Sequence, residues 1–219
     1  NNDKGLIEHY KSELVFEEEN IKKLSVSISN SIGEKCSRNF ITYTNKVIAL
    51  SAEVDGFDSP KLKQLVGETP KLFRDFPLIG SNKFHFPFML NGFKFNPRED
   101  RDGVFIHSKE ALDHEENRLI IEKAFEASQI FVGWLILNNF RNRFVCALSR
   151  LPDEKWTDFS KEWYDDLQQN YRTFLLDQEI VETDDGCIVL REAFIPTYGT
   201  SKESRIGFYK IARDFVGKG

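Results

Sequence analysis

The stretch from Leu72 to Ile106 reads LFRDFPLIGSNKFHFPFMLNGFKFNPREDRDGVFI. It holds eight Phe, three Pro and three Gly in 35 residues and ends in a dense charged loop. Phe84, Phe86 and Phe88, then Phe93 and Phe95, alternate with polar or smaller residues, which predicts half-buried strands at period two. Asn91-Gly92 between them is a tight-turn signal, because both residues tolerate positive φ. The segment Asn96-Pro97-Arg98-Glu99-Asp100-Arg101-Asp102-Gly103 then crowds five charges between two extended pieces. On its residues alone the stretch is a hairpin. A charged loop held by aromatic strands is also where a charged ligand or a partner domain would be met.

Outward from this block, Leu6, Ile7, Tyr10, Leu14 and Val15 suit a short amphipathic helix over 6–16. Residues 21–28 contain LSVSI, an alternating strand, and 40–54 (FITYTNKVIALSAEV) read as one long strand or two short ones, with Arg38-Asn39 as a candidate turn. Asp55 to Pro60 is a breaker cluster, and Lys61 to Val66 suits a helical turn. Downstream, 115–138 predicts a long helix whose C-terminal half is apolar on most sides. Phe144 to Leu148 (FVCAL) reads as a buried strand and, with that helix, as a crossover unit. A second helix starts near Trp156, with Thr157 as its N-cap and Asp158 at its positive end. Thr183-Asp184-Asp185-Gly186 marks a hairpin, and 201–216 a final capped helix. The expected fold is α/β of the α+β kind. A mixed sheet with antiparallel hairpins and at least one crossover packs against helices. Residues 1–150 would form the main unit, with 151–219 a helical and hairpin extension on it or part of one continuous domain.

Composition sets bounds. The chain has 219 residues, 40% hydrophobic and 30% charged, as in an ordinary globular protein. Its longest apolar run, Ile130 to Leu137, is far short of the ~20 residues of a membrane span, and no signal peptide is seen. The first residue is Asn1 and the one Met is Met89, which suggests a piece of a longer protein. Thirty basic against 35 acidic residues give a net charge of −5, which weighs against non-specific nucleic-acid binding. Cys36, Cys146 and Cys187 are three in number and lack a paired spacing, so they read as reduced thiols of a cytoplasmic protein.

Motifs that carry nucleotide chemistry are missing. No GxxxxGK[ST] and no GxGxxG occur. His107 and His114 flank SKEALD, seven residues apart, a poor match to zinc-ligand spacing, and read as solvated. His85 reads as a surface residue of its strand. Asp165-Asp166 and Glu17-Glu18-Glu19 read as solvated faces.

The order of motifs resembles a known family. Asp75 to Gly80 (DFPLIG), Phe86-Pro87-Phe88, and Arg101-Asp102-Gly103-Val104 are followed by Glu116-Asn117-Arg118 and Ile120 to Ala124. Phe174-Leu175-Leu176, Ile180 to Gly186 and Leu190 to Pro196 continue the series. Together these resemble the segment that follows the ATP-binding domain in sacsin-like proteins, members of the wider group of heat-shock-chaperone-like, GHKL-type ATPases. The resemblance spans residues 65 to 200. It implies a middle or transducer segment that couples the ATP state of a preceding domain to conformational change and to client or partner binding, with a homodimer as one assembly. The family's Glu-x-x-x-Asn and Asp-x-Gly-x-Gly nucleotide motifs are absent. The resemblance therefore implies Mg-ATP in the full-length protein and no cofactor or metal in this segment. A middle-domain residue in such ATPases reaches the γ-phosphate in trans. Arg101, in RDG, is the better match to that role and Arg98 the second. The competing local role for Arg101 is pairing with Asp100 or Asp102. Two further readings stand beside this one, a transducer of a DNA-processing GHKL ATPase and a non-enzymatic interaction module.

Overall fold

In the computed structural model, residues 8–148, 158–183, 186–193, 201, 203–207 and 210 are described. The fold is mixed α/β. Strands β1 (Glu8–Glu18), β2 (Ile21–Asn30), β3 (Lys35–Thr44), β4 (Ile48–Val54), β5 (Leu72–Arg74), β6 (Phe76–Pro77) and β7 (Met89–Gly92) form one sheet in the order β1-β2-β3-β4-β7-β5-β6. All neighbours are antiparallel except β5 and β7, which run parallel and supply the crossover. Helix α1 (Leu112–Leu137) packs across β4 and β7, and α2 (Asp158–Leu176) packs on α1. A separate hairpin, β8 (Val181–Thr183) with β9 (Gly186–Ile188), follows.

The two faces of the sheet are chemically distinct. On β3 and β4 the residues Ile41, Tyr43, Ile48, Leu50, Ala52 and Val54 are all buried beneath α1. The opposite face carries Thr42 and Ser51, whose hydroxyls hydrogen-bond at 2.8 Å, and Glu53, which pairs with Arg38 and with Lys63. This is the period-two alternation of a strand with one buried and one open face. The core joins the sheet to the aromatic block. Phe86 meets Phe125 edge-on at 5.1 Å between ring centroids, Phe88 meets Phe131 at 5.0 Å, and Phe84 meets Tyr164 of α2 at 5.3 Å.

The alternation expected at Phe84, Phe86 and Phe88 is real as burial but not as a strand. All three are buried, while residues 84–88 form a bent segment outside the sheet, with the Phe86 N–H bonded to the Phe84 carbonyl, after the 3₁₀ turn Ser81–Lys83. Asn91-Gly92 is the end of β7, opposite Ala49 and Ile48, and the turn falls on Phe93-Lys94. Gly92 is needed for a different reason than a turn, since a Cβ there would lie 2.5 Å from the Phe95 ring.

Other expectations are corrected. Residues 8–16 of the expected first helix lie in β1, paired with β2 over its whole length. Tyr10 and Leu14 are four apart, a spacing that suits a helix turn and equally one face of a strand. The turn joining β3 to β4 is Asn45-Lys46-Val47, not Arg38-Asn39, because the Asn45 side chain accepts the Val47 and Ile48 N–H groups. Lys61 and Leu62 form isolated bridges to Arg141 and Val54 instead of a helical turn. Phe144 to Leu148 is no strand: Arg143–Ala147 is a 3₁₀ turn after Asn142 in the left-handed region at φ 58°. The buried Arg143 side chain fixes it by donating to the carbonyls of Phe140 and Glu179. The later half of α1 keeps an exposed side, with Ile130 and Leu137 open to solvent.

The second helix and the 181–188 hairpin form as expected, while Thr157 and residues 149–157 lie outside the described residues. At the last helix the Ser201 hydroxyl accepts the Ser204 N–H, an N-cap, and 203–207 are helical.

Candidate functional site

The charged loop after β7 is clamped by α1. Asn117, fully buried one turn into the helix, accepts the Asn96 N–H at 2.8 Å and donates to the carbonyls of Asn96 and Phe105, each at 2.9 Å. Beside it the buried Arg118 donates to Ile106 O at 2.9 Å and Ser108 O at 2.6 Å. Two consecutive helix residues thus take up the backbone groups that an irregular segment would otherwise leave unpaired in the interior. The tip of the loop then stands on a fixed base. Arg98 N–H bonds the Gly103 carbonyl and Arg101 N–H the Arg98 carbonyl.

Within that tip the two arginines differ. Arg98 Nε lies 3.1 Å from Asp102 Oδ1, so its charge is locally compensated. Its guanidinium lies so close to Gly103 that a Cβ there would approach Nη2 to 2.4 Å. Arg101 is exposed, and among the described residues its guanidinium makes one hydrogen bond, from Nη2 to the Arg74 carbonyl at 3.3 Å. The pairing of Arg101 with Asp100 or Asp102 is not observed; Arg98 takes Asp102 instead. Arg101 also sits in the left-handed region at φ 52°, and Asp75, which follows Arg74, does so at φ 62°. Non-glycine residues there cost about 1–2 kcal/mol each and gather where surrounding structure has a use for them. The Arg74 Nε is buried without a hydrogen-bond partner. Sequence reading missed Arg74, and DFPLIG gave no sign that the residue before it would meet Arg101.

Three guanidinium groups, one of them compensated, can attract an anion presented from outside. They do not enclose one. The cavity that Arg98 lines with Lys83, Phe84 and His107 is about 50 Å³, against the several hundred of a nucleotide-sized site. No group of three potential metal-ligating side chains occurs among the described residues. At this loop tip the guanidinium groups face solvent and line no space of nucleotide size.

His107 is exposed, as its reading as a solvated group requires, and its ring also has a partner, while His114 is half-buried and partnered. His107 Nδ1 lies 2.8 Å from the Ser160 hydroxyl of α2, and His114 Nδ1 accepts the Ser108 N–H at 2.8 Å while its ring stacks on Phe105. The carbonyl of His85 receives the Tyr164 hydroxyl at 3.0 Å and the Gln168 amide at 2.9 Å. The contacts of Ser160, Tyr164 and Gln168 dock α2 on the aromatic block and on His107, which follows it. Burial pushes the Cys146 thiol up to about 12, so it is an inert core thiol. Lys71, which precedes β5, lines a cavity of about 70 Å³ with Lys63, Pro87 and Val145, and burial lowers its ammonium to about 8. Nothing in the stretch Thr69-Pro70-Lys71-Leu72 marks this lysine as buried.

No helix among the described residues is long and apolar enough to cross a membrane. In comparisons with known proteins, the chain matches no family model, no curated protein and no solved structure.

Proposed function

We propose that this chain is the middle, transducer-like segment of a chaperone-like ATPase of the cytoplasm, and that Arg101 is its contact to the nucleotide of the preceding domain. One observation carries the reading more than any other. An exposed guanidinium with a single backbone partner stands on a strained turn, on a loop that the core helix clamps through Asn117 and Arg118. A fixed, uncompensated arginine suits a bidentate phosphate contact. Placed against the γ-phosphoryl group that bound ATP supplies, it would stabilise charge developing in transfer. The ordered motifs from Asp75 to Pro196 support the family, and the mixed sheet under two helices agrees with the fold that the resemblance implies.

In this reading the fragment alone neither binds nor hydrolyses ATP. Calorimetry of residues 1–219 with Mg-ATP tests that half: no heat of binding at micromolar nucleotide is expected, and micromolar affinity would contradict it. The other half needs the longer coding region. Residues translated ahead of Asn1 should contain Glu-x-x-x-Asn followed by Asp-x-Gly-x-Gly, and their absence would end the proposal.

A further inference from the structure

The sheet extends past its own core. Every residue of β1 is exposed, and β1 is the sheet edge among the described residues, so one row of its N–H and C=O groups meets no described strand. Register places Tyr10, Leu14, Leu24, Val26, Ile28 and Phe40 on one face of this extension and His9, Lys11, Glu13, Ser25, Ser27 and Ser29 on the other. Lys11 and Glu13 stand opposite Ser27 and Ser25 of β2, and neither makes an ion pair among the described residues. The edge is regular up to Leu14, where a bulge shifts the register before Phe16.

We propose that β1 pairs antiparallel with β1 of a second copy of this chain, about a two-fold axis at Ser12. In that register Lys11 faces Glu13 of the partner subunit, and by symmetry Glu13 faces Lys11 of the partner subunit. Tyr10 faces Leu14 of the partner subunit on the other face. Shifting by two residues either way sets Lys11 against Lys11 or Glu13 against Glu13, and like charges directly opposite are destabilising. A shift by one exchanges the two faces of the sheet. The charge pattern of EHYKSELVF therefore selects one isologous register, and the bulge after Leu14 ends the paired stretch. The pairing is independent of the ATPase reading.

Sedimentation equilibrium on the 219-residue chain, between 1 and 200 μM, tests it. A reversible dimer is expected, weakened about tenfold in each of Lys11→Glu and Glu13→Lys, because two attractive pairs become two repulsive ones. The double variant Lys11→Glu/Glu13→Lys should restore the wild-type constant, and circular dichroism should show the same fold in all four. A monomer at 200 μM would overturn the proposal, as would a dimer indifferent to either single change or a double variant no better than the singles. Concentration-independent protection, in hydrogen exchange, of the outward-pointing β1 amides, those not bonded to β2, would equally overturn it, since the edge would then be covered by the chain itself.

Discussion

Arg101 and Asn117 show how differently two polar side chains of one loop can matter. Arg101→Ala keeps the Cβ and with it the cost of the left-handed backbone, so the change removes only the guanidinium and its one exposed hydrogen bond. In residues 1–219 it should cost about 0.5 kcal/mol or less in urea unfolding. Asn117→Ala orphans the Asn96 N–H and the carbonyls of Asn96 and Phe105 in a buried site, and should cost about 2–4 kcal/mol in the same measurement. Equal costs would show that the loop tip, not its clamp, is the structural part. Lys71 gives the pH dependence. Its folded value, about 8, lies below its ordinary 10.5, so between these limits the unfolded chain binds more protons and stability rises with pH. The contribution is complete above 10.5 and lost as pH falls through 8. Lys71→Met should therefore stabilise the chain at pH 7, by about 1–2 kcal/mol once solvent contact is allowed for, and the advantage should shrink between pH 8 and 10.5. A constant difference across that range would contradict a desolvated ammonium.

At the scale of elements, α2 is held by pairs of bonds that sequence periodicity does not show. Its spacing of Trp163, Leu167, Tyr171, Phe174 and Leu175 announces an amphipathic helix, and it forms one. What the spacing hides is that Tyr164 and Gln168 both donate to the His85 carbonyl. Tyr164→Phe leaves the Gln168 donor in place and should cost about 1 kcal/mol, and Gln168→Met likewise. The double variant removes both of these donors from a part-buried carbonyl and should cost about 1 kcal/mol more than the sum. Simple additivity in thermal unfolding would mean that the two bonds do not share their acceptor. The elements that sequence reading misassigned are those whose local pattern admits two periods or none. Tyr10 and Leu14 fit helix and strand alike, and only pairing with β2 decides for β1. FVCAL is apolar throughout, and the carbonyl acceptors of Arg143 decide for a 3₁₀ turn. Strand β2 and the 181–188 hairpin were legible; residues 40–54 were legible as strand, but the expected turn at Arg38-Asn39 falls inside β3.

At the scale of the whole molecule, the mixed sheet under helices was readable because its central strands present one apolar face to an apolar helix. Its strand order was not readable, because the parallel contact of β5 with β7 joins three-residue and four-residue strands separated by the aromatic segment. Arg98 and Arg101 were singled out through the resemblance at Arg101-Asp102-Gly103, whereas the contact to Arg74, the clamp of Asn117 and the compensation of Arg98 by Asp102 are products of folding that no local pattern announces. Net charge gives a further expectation. With 35 acidic against 30 basic residues the chain should not shift duplex DNA at nanomolar protein in about 150 mM salt. A shift there would favour a DNA-processing transducer over a chaperone-like one.

The proposed nucleotide contact of Arg101 is tested most directly by ATP hydrolysis, at saturating nucleotide, in a protein that carries the ATP-binding domain the proposal places ahead of Asn1, for wild type, Arg101→Ala and Arg101→Lys. A charge-assisted contact made in the transition state is worth about 2–4 kcal/mol, so Arg101→Ala should slow turnover about 30- to 1000-fold with little change in nucleotide affinity. Arg101→Lys, which keeps the charge and loses the planar fork, should recover only part of the rate. Wild-type turnover in Arg101→Ala would contradict the account and pass the question to Arg98.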